Sequence, residues 1–389
     1  MLGVDRLHLR GVVLPDGEPR DVWVVDGLVR LEPVRDAITL VQHGFLLPGL
    51  VDAHCHVGLE SDGAVPDERA EQHALAERAA GALLLRDAGS PAETRWIDDR
   101  HDLPRLIRAG RHIARPKRYL RNYGAEVEPD ELVAEVERQA ARGDGWVKLV
   151  GDWIDRDVGD LAPLWPVEAA RAAIARAHEL GARVTAHVFG EQAVAELVEA
   201  GIDGIEHGTG IDADVIAMMA ERQVALVPTM LQLDNFETYA EQGQARFPRY
   251  AAHMRALYAR RLDTFAAAHD AGVPIYAGTD AGGYLPHGLV AQEIAALAPI
   301  LGSAGALAAG SWAARRWLGR PDTLVDGAPA DLIVLEADPR RDLAVLKVPQ
   351  YVILRGRVVE AGASTSLRSG AEPVRHAVRT PGRGQFSAG

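Results

Sequence analysis

Residues 183–207 read RVTAHVFGEQAVAELVEAGIDGIEH, and this stretch indicates how the central part of the chain folds. The apolar runs Arg183–His187 and Gly204–His207 have the length of buried strands, and Glu191–Ala200 between them has helical periodicity. A strand, a helix and a second strand in this order predict a parallel βαβ unit. Both strands end in a histidine, so we expect the two imidazoles to lie at the same edge of adjacent strands.

The same alternation of strand and helix recurs through residues 46–324. Helical segments rich in Ala, Arg and Glu separate eight apolar segments that have the length of strands. The eight predicted strands are Phe45–His56, Ala82–Arg86, Arg111–Ala114, Gly145–Val150, Arg183–His187, Gly204–His207, Val224–Pro228 and Val273–Gly278. Eight such units predict an α/β fold in which a (β/α)8 TIM barrel is the catalytic domain. An open doubly wound sheet is the structural alternative, but no Gly-rich dinucleotide fingerprint follows an early strand.

The two ends of the chain have a different pattern. Residues 1–45 and 325–365 contain short apolar strands separated by turns such as Asp26-Gly27 and Arg355-Gly356. Neither end can bury much surface alone, so we expect them to pair into one small composite β-sandwich domain. Residues 366–389 are rich in Ser, Gly, Pro and Arg, a composition typical of a flexible C-terminal tail.

The composition is that of a globular enzyme. The 389 residues carry a net charge of −13, which argues against binding to nucleic acid or to an anionic membrane. The single cysteine, Cys55, excludes a disulfide framework and a Cys-rich zinc site. No segment approaches the roughly 20 apolar residues of a membrane helix, and the N-terminus lacks the apolar core of a signal peptide. We therefore expect a cytoplasmic protein that acts on a small molecule; a homo-oligomer is compatible with this composition.

Two histidines end the first strand of the predicted barrel, in Pro48-Gly49-Leu50-Val51-Asp52-Ala53-His54-Cys55-His56. Residues two apart on a strand share a side, so His54 and His56 point into the barrel mouth and Cys55 points away. Two neutral imidazoles at this spacing can bind one divalent metal ion. The alternative is a pair of unrelated polar histidines near a strand end.

Three further strand ends carry metal-ligand residues. His187 and His207 are each followed by a Gly-containing loop, and Asp280 follows Ala277-Gly278-Thr279. Since all strands of a barrel end on one face, we expect these side chains to converge with the first two histidines. Asp280 can bind a metal ion and also accept a proton from a bound water, as catalytic base. The alternatives are buried hydrogen-bonded histidines and a helix N-cap at Asp280.

Lys148 lies within an apolar strand, Trp146-Val147-Lys148-Leu149-Val150. An ammonium group there would be poorly solvated, and burial lowers the pKa of a lysine. The resulting neutral amine can take up carbon dioxide and form a carbamate, an anionic ligand able to bridge two metal ions. The alternative is a lysine whose ammonium group reaches the mouth and binds a substrate carboxylate.

These motifs resemble those of the amidohydrolase superfamily. Pro48–His56 is similar to the opening metal motif of that superfamily, and Gly278-Thr279-Asp280 to its closing motif. The stretch from His178 to Met230 resembles the imidazolonepropionase-like and prolidase-like branch, and Ala330–Leu335 resembles the return to a small β-domain. The resemblance spans nearly the whole chain. It implies a barrel with a sandwich domain and hydrolysis that depends on two divalent ions, with zinc expected.

The resemblance also implies the ligand assignment. His54, His56 and Asp280 would hold the more buried ion, His187 and His207 the outer one, and Lys148 would bridge them as its carbamate. Imidazolonepropionases use one metal and lack the lysine, so Lys148 favours the binuclear, prolidase-like members. The implied reaction is attack of a metal-bridging hydroxide on a carbonyl carbon, with Asp280 as general base and then general acid toward the leaving nitrogen.

Side chains in the loops after the strands are candidates for substrate binding. The set consists of Tyr119, Arg121, Trp153, Met230, Tyr284 and His287. A carboxylate clamp at Arg121 would favour N-acyl amino acids or dipeptides, and His287 could bind the leaving group or the oxyanion. The alternative for each is a loop residue that packs on its neighbours.

Three functions compete at this stage. The first is hydrolysis of a C–N bond in an amide, a cyclic amide or a dipeptide such as a prolidase substrate. The second keeps the same binuclear site but attacks a lactone or a phosphotriester. The third is a non-catalytic assembly protein on a barrel scaffold, which would predict loss of ligand residues, whereas all six positions are occupied by suitable side chains.

Overall fold

A computed structural model describes residues 6–361, and the predicted tail at 366–389 lies outside that range. Strands β1–β21 are, in chain order, Arg6–Val13, Glu18–Val25, Leu28–Arg30, Ile38–Val41, Phe45–Pro48, Leu50–Glu60, Gly63–Ala64, Ala82–Asp87, Arg105–Arg108, Ile113–Ala114, Ala125–Glu126, Trp146–Val150, Asp152–Asp155, Asp160–Pro163, Arg183–Val188, Gly204–His207, Ala225–Val227, Ala281–Gly283, Leu332–Leu335, Tyr351–Leu354 and Arg357–Ala361.

Ten α-helices alternate with these strands. Helices α1–α10 are Asp67–Ala79, Leu132–Arg142, Val167–Glu179, Glu191–Ala200, Ala213–Arg222, Met230–Leu233, Phe236–Gly243, Pro248–Asp270, Val290–Ala309 and Trp312–Trp317 within residues 6–361. Short 3-10 helices cover Arg95–Asp99, Pro129–Glu131 and Leu343–Lys347. The predicted alternation of strand and helix is therefore confirmed as a mixed α/β fold.

Parallel hydrogen bonds run around a ring of eight chain segments. Strands β6, β8 and β9 pair in that order, and so do β10, β12, β15, β16 and β17. Strands β9 and β10 lie in one stretch, residues 105–114, and the Asp144 amide donates to the Arg108 carbonyl across to the next segment. The ring makes the fold barrel-like and brings the C-terminal ends of its strands to one face.

The eighth segment closes the ring without forming a regular strand, so the strand predicted at Val273–Gly278 is wrong in form. The Leu226 amide donates to the Pro274 carbonyl, and the Ala53 amide donates to the Ala277 carbonyl. Pro274 has no N–H to give to a ladder, which limits the pairing to a single bridge. Gly278 is needed here because a Cβ atom would lie 2.6 Å from His54 Cβ.

Both ends of the chain contribute strands to one hydrogen-bonded sheet. Its order is β21-β20-β19-β5-β1-β2-β3, and β4 also pairs with β1. The sheet encloses its own apolar cluster, which includes Leu9, Val22 and Ile353. Gly49 joins this sheet to β6, where a Cβ atom would lie 2.5 Å from the Leu83 side chain. The first barrel strand is therefore anchored directly to the terminal sheet; the two-sheet sandwich stays a prediction.

Helix α9 corrects one expectation from the sequence. The helix has 20 residues and a mean hydropathy of 1.4, so by length and composition alone it could cross a membrane. The prediction that no segment approaches the length and hydropathy of a membrane helix was therefore wrong. The helix contains Pro299 and departs from helical geometry at Gly302. Its residues Ile294 and Leu297 are fully buried in the main apolar core.

An ion-pair cluster holds the β13–β14 hairpin against the helices. His253 on α8 lies 2.9 Å from Asp160 on β14 and 2.9 Å from Glu191 at the start of α4. The hydrogen bond to Glu191 raises the pKa of His253 to about 9. Because the folded-state pKa is raised, this contribution to stability is complete below pH 6.5 and disappears as the pH rises through about 9.

We therefore expect His253→Gln to lower the free energy of unfolding by about 1–2 kcal/mol at pH 6 and to have a smaller effect at pH 10. Urea unfolding at both pH values measures this difference. The exposed His101, as His101→Gln, is the matched control. A loss of stability of equal size at pH 6 and pH 10 would show that the charge of His253 does not contribute.

Candidate metal centre

Three predicted ligands meet at the C-terminal face of the ring. Asp280 Oδ1 lies 3.0 Å from His54 Nε2 and 2.9 Å from His56 Nε2, and the two imidazole nitrogens are 3.2 Å apart. His56 Nδ1 donates to the Gly89 carbonyl at 2.7 Å, which leaves the Nε2 lone pair directed at the cluster. Burial raises the pKa of Asp280, but electrostatic attraction, chiefly by His54, outweighs burial and holds this pKa well below its usual range.

This cluster fits a divalent metal ion. Two ligand atoms each about 2.0–2.1 Å from a zinc ion at the tetrahedral angle are about 3.3–3.4 Å apart, close to the observed spacing. The donor set of two imidazoles and one carboxylate is one that zinc accepts. Within residues 6–361, these three side chains are the group of ligand type that is close enough to share one ion.

A second pair of predicted ligands lies beside the first cluster. His187 Nδ1 is 3.0 Å from His207 Nε2, and the rings of His207 and His54 have centroids 5.4 Å apart. His207 Nδ1 donates to the Thr229 hydroxyl, which donates in turn to the Pro228 carbonyl, so His207 Nε2 keeps its lone pair. The structure therefore brings all four predicted histidines together.

Lys148 lies inside the ring with its amine unpartnered. Its side chain is 1% exposed, and Nζ has no hydrogen-bond partner within residues 6–361. Burial lowers the pKa of Lys148 to about 8, so a sizeable fraction is neutral near that pH. A buried amine without a partner is costly, and its presence favours a ligand-binding or modified group at this position.

Left-handed backbone angles orient two of the candidate ligands. Asp280 has φ +59° and His207 has φ +67°, a region that non-glycine residues seldom adopt. Such strain is retained where the surrounding structure imposes it, commonly at functional sites. Asp52, two residues before His54 on β6, accepts hydrogen bonds from the His54 and Thr279 amides and from the Thr279 hydroxyl. These bonds connect the segment that contains His54 to the segment that contains Asp280.

Glu206 is a site residue that the sequence reasoning missed. Its Oε2 lies 2.7 Å from His54 Nδ1, and its Oε1 accepts from Arg86 at 2.6 Å. Burial raises the pKa of Glu206, but electrostatic attraction by Arg86 and His54 outweighs burial and holds this pKa well below its usual range. A carboxylate behind a ligating histidine orients the ring and increases its basicity. The sequence does contain a signal for Glu206: like Lys148, it is a charged residue within an otherwise apolar strand.

We expect Glu206→Gln to weaken metal binding by about 10- to 100-fold, because His54 loses its charged partner. Competition with a chelator during metal titration measures the affinity. Glu199→Gln is the control, since that side chain is 62% exposed on α4. An unchanged metal affinity in folded Glu206→Gln protein would mean that Glu206 does not support the ligand.

His112 is a second residue that the sequence did not indicate. The ring is 1% exposed and lies 5.0 Å from the His56 ring and 5.4 Å from the Tyr119 ring. Its Nδ1 has no hydrogen-bond partner in the described part of the chain. Ile113 pairs with Leu149, so His112 occupies the level of Lys148 on the neighbouring strand. No local sequence motif marks His112, because the residues that surround its ring come from other segments of the chain.

The predicted substrate residues have different surroundings. Tyr119 and Trp153 pack on the His187 ring at 5.4 and 5.7 Å. Arg121 is exposed. Tyr284 packs at 6.4 Å on Tyr239.

The side chains of the other two predicted substrate residues are largely inaccessible to solvent. Met230 is 6% exposed at the start of α6, where its amide donates to Glu293. His287 contacts Glu77 at 2.9 Å and stacks on His73. Met230 and His287 therefore pack on their neighbours, which was the alternative to substrate binding. Tyr119 and Trp153, in contrast, lie beside the candidate ligand His187.

A ring of parallel strands with imidazoles and an aspartate at its C-terminal face defines a hydrolase of the amidohydrolase type. The model of the amidohydrolase family matches residues 45–359, and the chain belongs to that family. The chain is therefore a hydrolase, and the resemblance stated from its motifs is confirmed.

Relatives of the chain extend over most of its length. It is 57% identical over 354 residues to an uncharacterized protein of Mycobacterium tuberculosis, covering 90% of this chain and 95% of that one. It is 26% identical over 228 residues to ochratoxinase of Aspergillus niger, covering 57% of this chain and 47% of the relative. A crystal structure of a Xaa-Pro dipeptidase with bound methionine superposes with a TM-score of 0.75 at 22% identity, covering 91% and 98% of the two chains. This structural likeness concerns the fold.

Proposed function

We propose that this protein hydrolyses a C–N bond in an amide, a cyclic amide or a dipeptide-like small molecule, with two divalent ions, zinc being the expected metal. The proposed ligands are His54, His56, His187, His207 and Asp280, with Lys148 between them as its carbamate. The observation that carries the proposal is the convergence of four imidazoles and Asp280 around one end of the ring of strands. Beside them lies a buried amine that has no hydrogen-bond partner among the described residues. The proposal includes a regular (β/α)8 barrel, a terminal β-sandwich and a cytoplasmic location.

The ions, when bound, supply Lewis acidity toward the carbonyl oxygen and lower the pKa of a bound water. Asp280 is the residue placed to receive the proton of the attacking water and to return it to the leaving nitrogen. His54 and His56 keep Asp280 Oδ1 within 3.0 Å of both rings and so hold its position during that transfer. Glu206 and the Gly89 carbonyl orient the two imidazoles.

The choice of a C–N bond rests on the relatives rather than on the ligand geometry. A Xaa-Pro dipeptidase acts on a dipeptide, and its fold matches this chain over nearly its whole length. A lactonase or phosphotriesterase reaction on the same site is the alternative, since the same ligands suit attack at an ester or a phosphorus centre.

A metal analysis and a substrate panel test the proposal. Purified protein is stripped with a chelator, reloaded with zinc, manganese or cobalt, and assayed on N-acyl amino acids, dipeptides, cyclic ureides, lactones and a phosphotriester. We expect two ions per chain, activity that returns with metal, and the largest kcat/KM on an amide substrate. Failure to bind any metal, or turnover confined to lactones or phosphotriesters, would overturn the proposal.

A further inference from the structure

Aromatic side chains from separate loops line one side of the candidate centre. Tyr119, in the loop after β10, contacts Trp153 of the β13–β14 hairpin with ring centroids 4.9 Å apart in an edge-to-face arrangement. Both rings also contact His187, and Tyr119 contacts Tyr123 at 6.1 Å. We call Tyr119, Tyr123 and Trp153 the aromatic wall.

The aromatic wall is partly accessible beside the ligands. Tyr119 and Trp153 are half-buried, whereas Tyr123 is 3% exposed and supports Tyr119 from behind. The Tyr123 hydroxyl has no hydrogen-bond partner within residues 6–361. Aromatic rings that pack beside the candidate centre favour a partner that is itself aromatic, because edge-to-face and offset contacts add to simple burial.

The three side chains of the aromatic wall are uncharged, and two arginines of the adjoining loop are engaged in ion pairs. In the same loop, Arg115 pairs with Glu128 at 3.0 Å and Arg118 pairs with Asp155 at 2.8 Å. Arg118 also donates to the Trp153 and Ala162 carbonyls, so its guanidinium ties the hairpin to the loop. Arg121 is exposed. The neutral wall therefore suits an uncharged ring better than it suits an anion.

We infer that the centre takes amides with an aromatic ring attached to the acyl carbon, or linked through two carbons to the amide nitrogen, and that this ring packs against Tyr119 and Trp153. The inference rests on the proposed hydrolysis of C–N bonds and names the substrate class of that site. The aromatic wall thus determines specificity, and the carboxylate clamp predicted at Arg121 is not required.

Size-matched substrates test the inference. N-benzoylglycine is compared with N-cyclohexanecarbonylglycine for the acyl side, and N-acetylphenylalanine with N-acetylcyclohexylalanine for the amine side. We expect kcat/KM to favour the aromatic member by about tenfold in at least one pair, in line with contacts to two rings. In that pair, Trp153→Leu and Tyr119→Leu should each reduce the ratio about two- to fivefold, and Tyr119→Phe should preserve it.

Controls separate this inference from the proposed function. Trp23→Leu removes an aromatic side chain from β2 of the terminal sheet and should leave the ratio unchanged, and all variants should bind as much metal as the parent protein. If the metal-loaded protein hydrolyses no amide, the proposed function fails. If it hydrolyses amides but both ratios are near one, or if the leucine variants keep the parent ratio, the function stands and the aromatic inference is overturned.

Discussion

Replacing Asp280 with asparagine should lower kcat by about 10²- to 10⁴-fold while the protein keeps its metal. Asparagine has the same shape and retains an oxygen ligand, but its amide cannot accept the proton of an attacking water. The backbone should be undisturbed, because asparagine tolerates the left-handed angle of φ +59° at this position. Metal content and kcat are measured on the same preparation.

The control for this variant is Asp263→Asn, since Asp263 is exposed on α8. Asp280→Ala provides a second comparison: it should lose both turnover and part of the metal, because no oxygen remains to complete the cluster with His54 and His56. A metal-loaded Asp280→Asn protein with near-normal kcat would remove Asp280 from the role of general base.

Replacing Lys148 with methionine should lower kcat/KM by about 10³-fold or more, because several kcal/mol of charge stabilisation depend on a complete metal site. The free energy of unfolding of the metal-free protein should be unchanged or higher. Methionine has a similar length, and the buried amine that it replaces has no partner within residues 6–361. Metal content, activity and urea unfolding are measured together, with the exposed Lys347→Met as control.

Short carboxylic acids distinguish the two interpretations of Lys148. If the lysine acts as a carbamate, added formate or acetate should restore part of the metal content and activity of Lys148→Met, because a carboxylate then occupies the place of the carbamate. If the lysine instead binds a substrate carboxylate, the variant should keep its full metal content and show a raised KM. The second result would contradict the bridging role.

Three strands that carry candidate ligands, β12, β15 and β16, were predicted nearly residue for residue. The predicted segment Phe45–His56 is instead divided into β5 and β6, and Val273–Gly278 forms no regular strand. The prediction of Arg183–His187 and Gly204–His207 matches β15 and β16 to within one residue, because short apolar runs bounded by Gly and polar residues leave little choice of register. The third segment was less predictable: a break at residues 109–112 divides it into β9 and β10. Gly110, with φ +70°, allows that break, and the break positions His112.

Residues that orient the ligands could be located only from contacts between strands. Glu206 precedes His207, and strict alternation would turn one of the two away from the interior. The left-handed angle at His207 ends the alternation, so Glu206 reaches Arg86 and His54 while His207 reaches His187. No local pattern encodes that departure.

The sequence by itself determined most of the order of strands and helices, the six candidate ligand positions and the family, because periodicity and ligand spacing are local properties of the chain. Tertiary structure decided which groups stand behind the ligands and which loop residues face the centre. Glu206 and His54 are 152 positions apart, and Tyr119 meets Trp153 only after the β13–β14 hairpin folds over the ring. Such pairs are selected by packing and by the cost of leaving buried polar groups unpaired, and both depend on the whole fold.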